Sequence, residues 1–128
     1  MLSEINGCIL VPTYNNEKTI ADVIQRVFDV APKATVIVVN DGSTNSTVSI
    51  LNEFGDKITL LTNAENMGKG YSLRRGFKKA IEMGFDHVVT IDSDGQHFPE
   101  DIHLLVEKAI EFPNSVIMGS RCLLYTSD

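Results

Sequence analysis

The sequence predicts an α/β fold: a mainly parallel sheet with helices on both faces. Three observations carry that expectation. Short continuous apolar runs rich in β-branched residues recur along the chain, as strands buried on both faces require. Segments with apolar residues at helical spacing separate these runs. The connections between them are short, and strands alternating with helices over short loops build a parallel sheet.

Taken in order, Cys8-Ile9-Leu10-Val11 reads as the first strand, ended by Pro12, with a loop from Thr13 to Asn16. Ile20, Val23, Ile24, Val27 and Phe28 then share one face of a helix from about Glu17 to Val30, which Pro32 stops. Thr35 to Val39 is the second strand. Ser43 or Thr44 is placed to cap a second helix reaching about Phe54, with Val48 and Leu51 inward. Lys57 to Leu61 alternates weakly and reads as a third strand, followed by a polar loop from Asn63 to Gly70. A third helix is expected from about Tyr71 to Met83, with Leu73, Phe77, Ala80 and Ile81 on its apolar side. Val88 to Ile91 is the fourth strand. Pro99 suits the first turn of a fourth helix reaching about Glu111, with Glu100 and Asp101 at its positive end. Pro113-Asn114 turns the chain, and Ser115 to Met118 is the last strand.

The bulk numbers narrow the function classes. At 128 residues the chain is one domain or part of one, and at 43% hydrophobic and 22% charged it can fill a core. A net charge of −6 argues against a general nucleic-acid binder. No polybasic membrane patch stands out; Arg74, Arg75, Lys78 and Lys79 cluster locally and read as a solvated helix face. Cys8 lies in an apolar run and reads as a small buried hydrophobe, and with Cys122 makes neither a disulfide framework nor a metal cluster. The first residues lack the basic and long apolar regions of a signal peptide. No run approaches the roughly 18 apolar residues of a transmembrane helix. A reducing, cytoplasmic location is the default expectation.

The chemistry gathers in polar loops that follow strands. Those after Val11, Val39 and Ile91 must collect at one edge of a parallel sheet, the edge where open α/β sheets bind ligands. The most pointed of them is Asp92-Ser93-Asp94-Gly95-Gln96-His97. Two carboxylates one residue apart at the end of a buried strand repel each other. A divalent cation bridging to a phosphate gives such a pair a purpose, since magnesium typically takes one or two carboxylates plus substrate phosphates, and Gln96 offers a neutral oxygen. Asp-Ser-Asp-Gly is equally ordinary turn chemistry, and the motif alone leaves both readings open. An EF-hand is excluded, because Gly95 comes too early and His103 stands where the closing Glu belongs. His97 and His103 read as surface residues.

Asp41 ends the second strand ahead of Gly42-Ser43-Thr44, placed either to accept from a ribose hydroxyl or base N–H, or to cap the helix that follows. Tyr14 is placed to stack on a base or to pack its own loop. Asn66-Met67-Gly68-Lys69-Gly70 invites a phosphate-loop reading with Lys69 as the cation, but it lacks the earlier Gly and following Ser/Thr of the Walker pattern. The Rossmann G-x-G-x-x-G is absent too.

Together, Val11-Pro12-Thr13-Tyr14-Asn15, Val39-Asn40-Asp41-Gly42-Ser43-Thr44, Asn66-Met67-Gly68-Lys69-Gly70 and Asp92-Ser93-Asp94-Gly95-Gln96-His97 resemble the nucleotide-binding half of a family 2 glycosyltransferase with the GT-A fold, a Rossmann-like nucleotide-diphospho-sugar transferase. Gly119-Ser120-Arg121 is similar to a segment of polyprenyl-phosphate glycosyltransferases. The resemblance covers nearly all of residues 5 to 121. It implies a UDP- or GDP-sugar donor whose base and ribose are held by Pro12, Tyr14 and Asp41. Asp92 would face the ribose and diphosphate, and Asp94 with Gln96, beside Asp92, would hold Mg²⁺ or Mn²⁺. Lys69 is implied as a further donor contact and Arg121 as a contact to the phosphate of a lipid acceptor. A lipid acceptor would also imply a peripheral position at the cytoplasmic membrane face. The first loop departs from the family pattern: Asn16 stands where Glu is common, with Glu17 next to it.

The resemblance further implies that an acceptor half, which in many members carries the catalytic base, would follow; no catalytic residue is identifiable in these residues. The tail Cys122 to Asp128 resembles the translation of a sequencing-adapter end. The expected organisation is therefore a donor-binding half over 1–121 and a non-native tail over 122–128, inactive by itself. Two alternatives remain: a sugar-phosphate nucleotidyltransferase, which would want a Gly-rich, Arg- and Lys-bearing loop where Pro12-Thr13-Tyr14-Asn15-Asn16 stands, and an inert, non-catalytic fragment with an exposed sheet edge.

Overall fold

The computed structural model describes residues 6–91, 117–119 and 122–126. In chain order the elements are β1 (Gly7–Thr13), α1 (Ile20–Val30), β2 (Val36–Asn40), α2 (Thr47–Phe54), β3 (Thr59–Thr62), α3 (Lys69–Glu82), β4 (His87–Ile91), β5 (Ile117–Gly119) and β6 (Cys122–Thr126). They form one sheet in the order β3-β2-β1-β4-β6-β5. β1 pairs in parallel with both β2 and β4, and β2 pairs in parallel with β3. The fourth helix expected over 99–111 lies outside the described residues.

The continuous apolar runs are explained by two cores, one on each sheet face. Alternate residues of β1 point to opposite sides. Ile9 and Val11 join Val36, Val38, Val89 and Ile91 beneath α1 and α2, whose Ile20, Val23, Ile24, Val27 and Leu51 seal that face. Cys8 and Leu10 join Ile37, Val39 and Val88 on the other face, under Ala80, Leu73 and Phe77 of α3. Burial pushes the Cys8 thiol up to about 12, so it stays neutral and serves as a small core residue. Gly76 lets α3 approach the sheet: a Cβ there would overlap the Leu10 methyl groups.

The helices on opposite faces follow from handedness. β1, β2 and β3 step one way across the sheet, whereas β4 lies on the other side of β1. Right-handed crossovers in opposite directions place α1 and α2 on one face and α3 on the other. The reversal between β1 and β4 is a topological switch point, the place where open α/β sheets bind ligands at the carboxyl ends of their strands.

Several boundaries differ from expectation for identifiable reasons. α1 starts at Ile20 rather than Glu17, because Glu17 turns away to accept from the Ser46 N–H at 3.2 Å. α2 starts at Thr47, and neither Ser43 nor Thr44 caps it; both bond to Asn15, and Asn45 Oδ1 takes the Thr47 N–H. Ile81 is 61% exposed rather than on the apolar side of α3. It lies about 80° round the helix from Leu73 at 100° per residue, outside the stripe set by Leu73, Phe77 and Ala80. The last expected strand exists as β5, but it does not pair with β4. β6, from the segment expected to be a non-native tail, lies between them and is antiparallel to both neighbours.

Candidate functional site

The carboxyl ends of β1, β2 and β3 are tied into one rim by hydrogen bonds that begin in the backbone. The Asp41 N–H donates to the Thr13 carbonyl at 2.8 Å, and the Asn63 N–H donates to the Asn40 carbonyl at 2.8 Å. Each strand's exit residue thus fixes the next strand's exit.

Asn15 joins the first loop to the second. It sits at φ 52°, a left-handed conformation that Asn tolerates better than most residues. Its N–H donates to Ser43 Oγ at 3.0 Å, and its Oδ1 accepts from the Thr44 N–H at 2.8 Å. Asn40 Oδ1 takes the Ser43 N–H at 3.1 Å. The polar residues of Asn40-Asp41-Gly42-Ser43-Thr44 are therefore spent on shaping the rim.

Asp41 joins the second loop to the third, and it is only 5% exposed. Its Oδ1 accepts from Asn63 Nδ2 at 2.9 Å and from the Met67 N–H at 2.7 Å, while Oδ2 accepts from the Gly68 N–H at 3.0 Å. A buried carboxylate needs such donors, and bonds to a charged acceptor are the strong ones. Asp41 does not cap α2; it clamps the loop that leads into α3. Gly42, at φ +71°, makes room for that loop, since a Cβ there would overlap the backbone of Glu65 and Asn66.

Asn63 is the hub that the sequence reading passed over. Besides its bond to Asp41, its Nδ2 reaches Ser72 Oγ at 3.0 Å, and its Oδ1 accepts from Arg75 Nη1 at 2.7 Å. Arg75 belonged to a cluster expected to be a solvated helix face, and it is instead drawn into the rim. The available signal was weak: an Asn directly after a strand, where every earlier strand also ended in an Asn or Thr.

The remaining candidates fall out as follows. Pro12 is buried in β1 opposite Val39, so it forms the floor. Tyr14 is 43% exposed on the rim rather than packed into its loop. Lys69 is exposed at the first position of α3. Asp92, Asp94, Gln96 and Arg121 lie outside the described residues; β4 ends at Ile91, the residue before Asp92, on this same edge and next to β1. Among the described residues no group of three potential ligands could hold a metal, and two rim carboxylates, Asp41 and Glu17, are occupied by N–H donors. Thr13 Oγ1 and Asn40 Nδ2, on register-paired residues, are buried with no partner among the described residues. Such orphans are uncommon and costly unless a further group completes them.

The model of glycosyl transferase family 2 matches residues 8–123. A UDP-N-acetylglucosamine–dolichyl-phosphate N-acetylglucosaminyltransferase from Methanococcus voltae is 31% identical over 88% of this chain and 51% of its own length. The chain thus spans about half the length of that curated relative. Among solved structures, the mannosyltransferase of Pyrobaculum calidifontis in complex with GDP-Man and Mn²⁺ aligns with a TM-score of 0.77 at 19% identity, over 94% of this chain and 44% of that one. Glucosyl-3-phosphoglycerate synthase from Mycobacterium tuberculosis, solved with Mn²⁺, UDP and phosphoglyceric acid, aligns with a TM-score of 0.62 at 27% identity, over 83% and 39%.

Proposed function

The chain belongs to glycosyl transferase family 2 and has the GT-A fold, and from that premise we propose that it carries the donor site of an enzyme moving a sugar from a nucleotide diphosphate to a lipid-phosphate or saccharide acceptor. The observation that carries the reading is the rim itself. Three loops from three parallel strands are locked together by Asn15, Asp41 and Asn63 beside the β1/β4 switch point, where α/β sheets take nucleotides.

In this reading Pro12 and Tyr14 offer an apolar floor and a ring to the base. Asp41 helps to hold base and ribose, through lone pairs left by its loop contacts or through the loop that it fixes. Asp92 faces the ribose and diphosphate, and Asp94 with Gln96, beside Asp92, holds Mg²⁺ or Mn²⁺. Such a cation, when bound, neutralises the charge that develops on the departing nucleoside diphosphate. The oxygen donor set of 92–96 suits a hard cation, and the solved relatives named above contain Mn²⁺. Lys69 at the start of α3 adds positive charge near the phosphates, and Arg121 meets the phosphate of a lipid acceptor. The donor half is assigned to 1–121. Among the described residues no helix is long and apolar enough to cross a membrane; a lipid acceptor places the protein peripherally at the bilayer.

Titration calorimetry with UDP and GDP, with and without Mn²⁺, tests the reading. Nucleotide binding that needs the metal and disappears in Asp94→Ala is expected. Absence of binding in a protein with a folded far-UV spectrum, or unchanged binding in Asp94→Ala, overturns it.

A further inference from the structure

The chain carries an excess of acid, yet Lys69, Arg74, Arg75, Lys78 and Lys79 place five of its 11 basic residues on the 14 residues of α3, against the single carboxylate of Glu82. The buried side of α3 is set by Ser72, Gly76 and Ala80. Tyr71, Arg74, Lys78 and Glu82 recur at intervals of three and four on the opposite side and are exposed, so they form one outward stripe. An open groove of about 470 Å³ runs along this stripe, lined by Leu61, Tyr71, Arg74, Arg75, Lys78 and Lys79, with Glu82 the one carboxylate in its wall. The side chains of Arg74 and Lys78 make no ion pair or hydrogen bond among the described residues. Large apolar side chains flank the charges: Tyr71 is 41% exposed, Ile81 61% and Met83 42%.

Like charges gathered on one helix repel each other, and an anionic surface relieves that repulsion. A helix with basic residues on its outward side and apolar groups beside them lies well in a bilayer interface, its cations among the headgroups and its apolar groups just below. We propose that the outer face of α3, centred on Arg74 and Lys78, docks the protein on an anionic phospholipid bilayer, with lipid phosphodiesters seated in the Tyr71–Lys78 groove. The proposal deepens the peripheral placement suggested above by naming the surface. It is independent of which nucleotide is bound, because α3 packs on the sheet face opposite α1 and α2 and offers this stripe along its whole length.

Vesicle co-sedimentation tests it with phosphatidylcholine alone and with phosphatidylcholine containing phosphatidylglycerol. The whole chain is expected to sediment only with the anionic vesicles, and less as sodium chloride is raised, because exposed charges are screened. The double variant Arg74→Glu, Lys78→Glu is expected to lose at least tenfold in apparent affinity. The variant Lys33→Glu, Lys57→Glu has the same net charge, its changes are at exposed positions near α1 and α2, and it is expected to retain at least half of the binding. Inorganic phosphate at millimolar concentration should not compete, which separates a bilayer from a free-phosphate site. UDP calorimetry on the Arg74/Lys78 variant should be unchanged, so that loss of docking and loss of the donor site are read separately. Equal binding to neutral vesicles, equal losses in the two double variants, or displacement by inorganic phosphate would overturn the proposal.

Discussion

Asp41 shows how one residue can serve a site without first touching a ligand. Its two oxygens gather three donors from a loop 22 to 27 residues downstream. Replacing it by Ala leaves the Met67 N–H without an acceptor and takes the charged one from the Gly68 N–H and the Asn63 amide, which keep only Asn66 Oδ1 and Ser72 Oγ. Removing one partner of a buried charged bond costs more than the bond's net worth, because the survivors stay desolvated. Asp41→Ala is therefore expected to lower unfolding stability by about 3 kcal/mol, read from urea denaturation, and to weaken nucleotide binding through the displaced loop. A loss below about 1 kcal/mol would mean that water replaces the carboxylate and that the clamp is unimportant. The importance of Asp41 was legible in the sequence, since a carboxylate closing a buried strand asks for a reason. Its partners were not, because nothing local in 41–44 points to Asn63 or Met67. Asn63 and Arg75 were missed for the same cause: a hub is defined by what converges on it in space.

At the scale of elements, the apolar periodicities of α1 and α3 and the β-branched runs of β1, β2 and β4 were enough to place each element. Helix starts were less legible because polar residues in the preceding turns had rival uses across the rim, as Glu17 and Ser43 show. β6 was not foreseen at all, since the reading set Cys122 to Asp128 aside on its likeness to an adapter end; the structure pairs Cys122–Thr126 with β4 along its full length. The packing of α3 offers a sharper test of the architecture. Gly76 rests against Leu10, and an added methyl must displace that side chain in a close-packed core. Gly76→Ala is expected to destabilise by about 1–2 kcal/mol, although Ala favours helix by about 1 kcal/mol over Gly. Gly70→Ala, where the new Cβ would meet only Arg74 Nη1 at 3.5 Å, should be neutral or slightly stabilising. Thermal unfolding of the pair checks the contrast, and equal effects would remove Gly76 as the reason that α3 lies so close to the sheet.

For the molecule as a whole, the arrangement follows from one reversal. Because β4 lies on the far side of β1 from β2, the loop after β1 stands between the Asp41 loop and the end of β4 at Ile91. The parallel order of β1 to β4 and the gathering of strand-end loops were legible from alternation alone; the antiparallel pair at the far edge was not. The same reversal puts the basic stripe of α3 on its own sheet face, away from α1 and α2, on a chain of net charge −6. The central claim is that a cation held by Asp92 and Asp94 sits in the crevice walled by the loops after β1 and β2. Paramagnetic broadening by Mn²⁺, added with UDP to isotope-labelled protein, reads this most directly. The amides of Asn15, Ser43 and Met67 should broaden well before those of Lys33 and Gly55, which lie in connections at the opposite edge of the sheet. Broadening that is uniform, or that spares the three rim loops, would contradict the account.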